Sequence, residues 1–266
     1  MAAAQFTIGT MDNDSDAIAG RIRIVLVGTQ HPGNIGAAAR AMKTMGLGRL
    51  VLVAPERFPH ADAQAMAAGA DDVVAGADRC DTLAEAIGDC RLVLGCTARS
   101  RRIALEELAP REAALRLKAA AATEQVALVF GRERTGLDNE ELQLCHAAVH
   151  IQANPAYSSL NLAAAVQVLC YEVRLALLSE APAPVAHAHR ETQASHAQLE
   201  GFFSQLAETL EAIDFHKGRA PDSAMRKLRR IFMRSGLDAR EVRLLRGVLA
   251  DAQRMARLAS QKPESG

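Results

Sequence analysis

Five short apolar runs recur along this chain with helix-like stretches between them, and that alternation restricts its fold more than any other feature. The runs are Ile22–Val27, Leu50–Val53, Arg91–Gly95, Val126–Phe130 and Ala148–Ile151. Between and after them lie Ile35–Met45, Leu83–Ile87, Arg111–Ala122, Asn139–Cys145 and a long stretch at Leu160–Leu178. Strands alternating with helices predict an α/β domain with a mostly parallel sheet. Ligands of such sheets bind at the carboxyl ends of the strands. Three segments fall there: GTQHPGN after the first run, GCTARS after Leu94, and GRERTG after Phe130.

The expected organisation has four parts. Residues 1–20 read as a flexible tail, 21–179 as the α/β domain, 180–197 as a linker with two prolines, and 198–266 as a helical extension. Three helix-periodic stretches fill the extension: LEGFFSQLAETLEAIDF, SAMRKLRRIFMR and DAREVRLLRGVLADAQRMARL. Formal net charge is zero over 266 residues, yet Lys217–Arg257 holds twelve Lys or Arg against four Asp or Glu. That local excess of eight positive charges marks a surface for a polyanion. Five cysteines in no C-x-x-C pair argue against a zinc site or a disulfide framework. No secretory signal and no membrane-spanning run is read, so the expected compartment is the cytoplasm.

The turn after the first strand carries Gly28, Gly33 and Gly36, which is not the dinucleotide spacing G-x-G-x-x-G. Glu56, near the end of the second strand, is the one feature favouring a nicotinamide-binding oxidoreductase. In GNIGAAAR, Asn34 can cap a helix starting at Ile35, and Gly33 and Gly36 allow close approach of a ligand or a neighbouring helix. Arg40 lies two turns into that helix. In LVFGRERTGLDNEEL, Asp138 and Glu141 form a capping box, which leaves Gly-Arg-Glu-Arg-x-Gly unexplained. In NPAYSSLNLAAAVQVLCYEV, Ser158 or Ser159 is the expected N-cap, with Asn161 in the first helical turn. His187, His189 and His196 read as solvated linker residues. No metal is expected of His31, His146 and His150.

These motifs, in this order, resemble the SPOUT superfamily of RNA methyltransferases, in its ribose 2′-O-methyltransferase branch. The match covers about Arg21 to Leu178: N-x-G-x-x-x-R, then F-G-x-E-x-x-G-L, then S-S-L-N-L. The wording ARAMKTMGL, LVFGRER-GL-NEEL and NP-YSSLNLA-AVQV-YEVR is most similar to bacterial tRNA (cytidine/uridine-2′-O)-methyltransferases acting on the first anticodon-loop nucleotide. The resemblance implies a parallel sheet with a deep carboxyl-terminal trefoil knot, a homodimer, and S-adenosyl-L-methionine as cofactor. Carried over residue by residue, the cofactor contacts are Cys96, Thr97, Ala98, Gly131, Ile151, Ser158, Ser159 and Leu160. Cys96 stands where a small hydroxyl residue is expected. Arg40 is implied as the central catalytic residue, with Asn34, Glu133, Ser159 and Asn161 orienting it and the ribose. The basic extension is implied to hold the tRNA. The alternatives are the same chemistry on ribosomal RNA, and a non-catalytic RNA-binding protein of the same fold.

Overall fold

A computed structural model of the chain describes residues 13–98, 105–179, 194–218 and 220–260. Its strands are β1 (Ile22–Val27), β2 (Arg49–Val53), β3 (Asp78–Cys80), β4 (Leu92–Cys96), β5 (Glu106–Leu108), β6 (Val126–Phe130) and β7 (Ala147–Val149). The helices around them are α1 (Asn13–Ala19), α2 (Pro32–Thr44), α3 (Ala61–Ala67), α4 (Asp71–Ala75), α5 (Leu83–Ile87), α6 (Pro110–Ala121), α7 (Asn139–Gln143) and α8 (Leu162–Leu178). Three further helices follow: α9 (His196–Ala212), α10 (Pro221–Ser235) and α11 (Ala239–Ser260).

The seven strands form one sheet in the order β3-β2-β1-β6-β4-β7-β5, and every pairing is parallel. A strand covered on both faces must be apolar throughout. Accordingly IRIVLV of β1 and VALVF of β6 are buried at every position and sit side by side, Ile24 opposite Leu128. On the far side of β6, β4 places Leu94 opposite Leu128, and β7 places Ala147 opposite Leu94. Helix α2 buries Ile35, Ala38, Ala39 and Met42 at helical spacing, and α8 buries Val166, Leu169, Cys170 and Val173. The carboxyl ends of β4, β6 and β7 thus lie together, with the amino terminus of α8 next in the chain.

The chain divides into two compact units. One holds the sheet and α1–α8; the other holds Gly88–Arg91 with α9–α11. The second unit has its own core, in which Phe202 meets Phe232 edge to face with ring centroids 4.9 Å apart.

Several expectations need correction. The tail expected over 1–20 gives way to α1 from Asn13, whose Ile18 and Ala19 are buried in the core. Of the linker expected over 180–197, residues 180–193 lie outside the described residues, and 195–197 belong to α9 and its cap, because Ser195 caps α9 with a full Ser195/Gln198 capping box. His196 is therefore no solvated linker residue. It opens α9 and is 1% exposed. Strands β3 and β5 were not expected. Each has three residues, too few for a hydrophobic period, and Asp78, Arg79, Glu106 and Glu107 are exposed at the sheet edges.

Candidate active site

Each site loop is fixed by its own local chemistry. After β6, Gly131 has no room for a side chain, because a Cβ there would overlap the backbone of Gly136 and Leu137. The loop closes as a narrow hairpin: Arg132 N donates to Gly136 O at 3.3 Å and Gly136 N to Arg132 O at 2.8 Å. Gly136 adopts φ +68°, which L side chains rarely adopt. Arg132 pairs with Glu141 at 3.0 Å, and Glu141 also completes the capping box with Asp138. The capping box is as expected. Arg132 is spent on holding its loop to α7.

Glu133 points the other way. Its carboxylate accepts from Gln30 N at 3.0 Å, His31 N at 3.1 Å and Asn34 Nδ2 at 3.0 Å. It therefore caps the amino terminus of α2 from about a hundred residues away. Burial pushes the Glu133 pKa up, but the donors from Asn34, Gln30 and His31 outweigh it and hold the carboxyl below its ordinary 4.5. Asn34 relays the contact onward, since its Oδ1 accepts from Asn161 Nδ2 at 3.3 Å. Asn34, Glu133 and Asn161 thus form one hydrogen-bonded chain linking the loops after β1, after β6 and before α8.

Two capping expectations are replaced by this arrangement. Pro32 starts α2 two residues before Asn34, as proline suits the first helical position. Asn34 is inside the helix, and its side chain serves Glu133 and Asn161. Neither Ser158 nor Ser159 caps α8. Asn161 does, accepting from Ala163 N at 2.9 Å. Of the two glycine roles offered for Gly36, the neighbouring helix is the right one, because a Cβ there would overlap the carbonyl of Ala63 in α3. Glu56 accepts from Gln30 Nε2 at 3.0 Å and so braces the β1–α2 turn.

A cavity of about 390 Å³ opens where β4, β6 and β7 end. Its lining contains Cys96, Thr97, Ala98, Gly131, Ile151, Ser158, Ser159 and Leu160, the full set singled out from the sequence for the cofactor. Phe130, Arg132, Glu133, Arg134, Thr135, Gly136, Leu162 and Ala165 complete it; of these the sequence assigns a site role to Glu133 alone, and marks Arg132, Arg134 and Gly136 only as part of an unexplained motif. Phe130, Leu162 and Ala165 are among its apolar lining, and Thr97, Ser158, Ser159, Arg132, Glu133 and Arg134 among its polar lining. Thr97 N donates to Val149 O at 3.0 Å, and Thr97 O meets His150 Nδ1 at 3.1 Å, so the loop after β4 is pinned to β7. Burial pushes the Cys96 thiol up to about 12, which keeps it neutral. Arg134 is exposed, and its guanidinium makes no hydrogen bond or ion pair among the described residues. Arg40 is exposed on α2, does not line the cavity, and likewise has no side-chain partner among the described residues. The described residues contain no group of His, Cys, Asp and Glu able to hold a metal ion.

Comparison with known proteins identifies the family. A family model described as the SpoU rRNA methylase family matches residues 21–171, more than half of the chain. A second, the C-terminal domain of the tRNA methyltransferase TrmJ, matches residues 197–261. The chain belongs to the SpoU methylase family, in its TrmJ branch. The tRNA (cytidine/uridine/adenosine-2′-O-)-methyltransferase TrmJ of Pseudomonas aeruginosa is 49% identical over 250 residues, covering 91% of this chain and 97% of that protein. The tRNA (cytidine/uridine-2′-O-)-methyltransferase TrmJ of Escherichia coli K12 is 52% identical over 233 residues, 87% of this chain and 95% of its own. The solved structure of TrmJ from Z. mobilis ZM4 superposes with a TM-score of 0.74 at 33% identity, covering 86% of this chain and 97% of that one. As a SpoU methylase, the chain carries its site motifs in the parallel α/β unit and the TrmJ-type helices in the other. No helix among the described residues is long and apolar enough to cross a membrane.

Proposed function

We propose that this SpoU-family chain transfers a methyl group from S-adenosyl-L-methionine to a ribose 2′-oxygen of tRNA, at the cytidine or uridine opening the anticodon loop. The observation that carries the reading is the cavity at the ends of β4, β6 and β7. Its size lies in the ordinary range for small-molecule sites, about 300–1,000 Å³. Gly131, where no Cβ fits, lets the loop's own backbone close at Gly136 and Leu137 along the cavity wall, and the mixed apolar, hydroxyl and charged lining suits a nucleoside with an amino-acid tail. A contact through the main chain of Cys96 would make the departure from a hydroxyl residue harmless.

The cofactor supplies an electrophilic methyl group when bound, and the chain's own residues do the rest. Holding the 2′-oxygen in line contributes on the order of 7–11 kcal/mol to such a reaction. Arg40 is assigned charge stabilisation rather than general-base work, since a guanidinium offers hydrogen-bond donors and no acceptor. It binds the neighbouring phosphate and stabilises the alkoxide as its charge develops. The phosphate or a water accepts the proton. The Glu133–Asn34–Asn161 chain fixes the start of α2, which sets where Arg40 stands, while Ser159 on the cavity wall orients the ribose.

The remaining features support the same reading. Tyr171, Leu175 and Leu178 leave an apolar strip exposed on α8, which suits a homodimer. The insertion of β6 between β1 and β4, with β7 beyond β4, suits a chain threaded into a trefoil knot. The basic helices α10 and α11 hold tRNA through its phosphates, with the steep salt dependence that follows from counterion release. Five free cysteines fit a cytoplasmic protein. The test is incubation with methyl-labelled cofactor and either unmodified total tRNA or ribosomal RNA, followed by mapping of the label. Label on a 2′-oxygen at the start of the anticodon loop is the expected result. Label only in ribosomal RNA replaces the substrate, and label in neither returns the chain to a binding role.

A further inference from the structure

Resting on the proposed function, we infer that Tyr157 is the platform on which the base of the target nucleotide stacks while its ribose enters the site. The chain is poor in aromatics, with no Trp, two Tyr and seven Phe. Phe130, Phe202 and Phe203 are buried in the cores. Tyr157 does the opposite: at 83% it is the most exposed large apolar side chain among the described residues. Its hydroxyl has no hydrogen-bond partner among them. Such a side chain contributes little to the fold.

Its position is nonetheless fixed. Tyr157 lies in the loop between β7 and α8, with cavity-lining Ile151 before it and Ser158, Ser159 and Leu160 directly after it. An Asn154 turn locks the backbone: Ala156 N donates to Asn154 Oδ1 at 3.0 Å and Tyr157 N to Asn154 O at 2.9 Å. The turn therefore places an exposed aromatic one residue from the wall of the cavity. The reacting 2′-oxygen is attached to a ribose whose base must go somewhere when the ribose docks. Proteins that handle unpaired RNA bases hold them by stacking on aromatic faces, a contact every base can make. Stacking also tolerates cytidine and uridine alike, where hydrogen-bond readout would separate them.

The experiment uses the full chain, with Tyr157→Ala and Tyr157→Phe beside wild type. Transfer to tRNA is measured as kcat and KM, cofactor affinity by calorimetric titration, and folding by thermal melting. A second substrate carries an abasic ribose at the target position. Tyr157→Ala is expected to lower kcat/KM for tRNA about tenfold or more, in line with base–aromatic stacking. Tyr157→Phe, which keeps the ring face, retains activity within about twofold, and cofactor affinity and melting are unchanged in both. On the abasic substrate, wild type falls to the level of Tyr157→Ala, and the substitution has no further effect. An unchanged kcat/KM in Tyr157→Ala, equal losses in the Phe and Ala variants, or a loss of cofactor affinity each overturns the platform. If wild type transfers no methyl group to tRNA, the proposed function itself fails and the platform with it.

Discussion

Replacing Glu133 by glutamine tests whether one carboxylate joins the loop after β6 to the start of α2. Wild-type Glu133 accepts from two backbone N–H groups, of Gln30 and His31, and from Asn34 Nδ2. Hydrogen bonds to a charged group are each worth about 1.5–3 kcal/mol net. A negative charge at a helix amino terminus adds about 0.3–1 kcal/mol. The site is only half-buried, so water replaces part of what is lost. Glutamine keeps one acceptor oxygen but presents an NH2 to a cluster of donors, giving an expected loss of about 2 kcal/mol. With a urea m-value of about 2 kcal/mol per molar, the midpoint of the α/β unit falls by roughly 1 M at pH 7. Far-UV circular dichroism reads the transition, since the chain has no Trp. The pH dependence is the sharper part. The folded Glu133 pKa lies below 4.5, so its stabilisation is complete above 4.5 and is lost as pH falls through the folded value. Wild type and Glu133→Gln should therefore converge in acid. Equal midpoints at pH 7, or a gap that persists unchanged into acid, would refute the reasoning.

Other substitutions reach different parts of the account. Gly131→Ala forces a Cβ into the backbone of Gly136 and Leu137, so titration should show cofactor affinity lost while α9–α11 remain helical. With its thiol near 12, about one part in ten thousand of Cys96 is thiolate at pH 8. A thiol reagent at that pH should leave it largely unmodified, and mass spectrometry would show this. His196 is held down to about 4 by burial, with Arg229 adding to the effect. Its unfolded form takes up a proton first, so the helical unit should lose up to about 3 kcal/mol as pH falls from 6.5 to 4. A flatter profile in His196→Gln, followed by melting, would check this. Removing the residues after about 180 should weaken tRNA binding and reduce its salt slope, as filter binding across a salt series would show.

Much of this site was legible because its residues sit next to strong local signals. The apolar runs of β1 and β6 located the strand ends, and the motifs after them supplied every side chain of the Glu133–Asn34–Asn161 chain. The role of each was harder to read. Asn34 looks like a cap because the true cap, Glu133, arrives from the loop after β6, and no local pattern reveals a partner so distant in sequence. Asn161 rather than a neighbouring serine caps α8, a choice made by where the loop turns. His196 was misread although Ser195 and Gln198 spell a capping box, because the polar, alanine-rich stretch before it resembles a linker. The edge strands β3 and β5 took their structure from β2 and β7 rather than from their own residues.

In the proposed division of work, the cavity binds the cofactor and Arg40 acts on the RNA. This division is tested most directly by single-turnover methyl transfer to tRNA in Arg40→Ala at saturating cofactor, with cofactor affinity titrated on the same sample. The account predicts a loss of transfer of at least about a hundredfold, as for removal of a charge-stabilising group, with cofactor affinity unchanged. Transfer close to wild type, or a collapse of cofactor affinity, would contradict it.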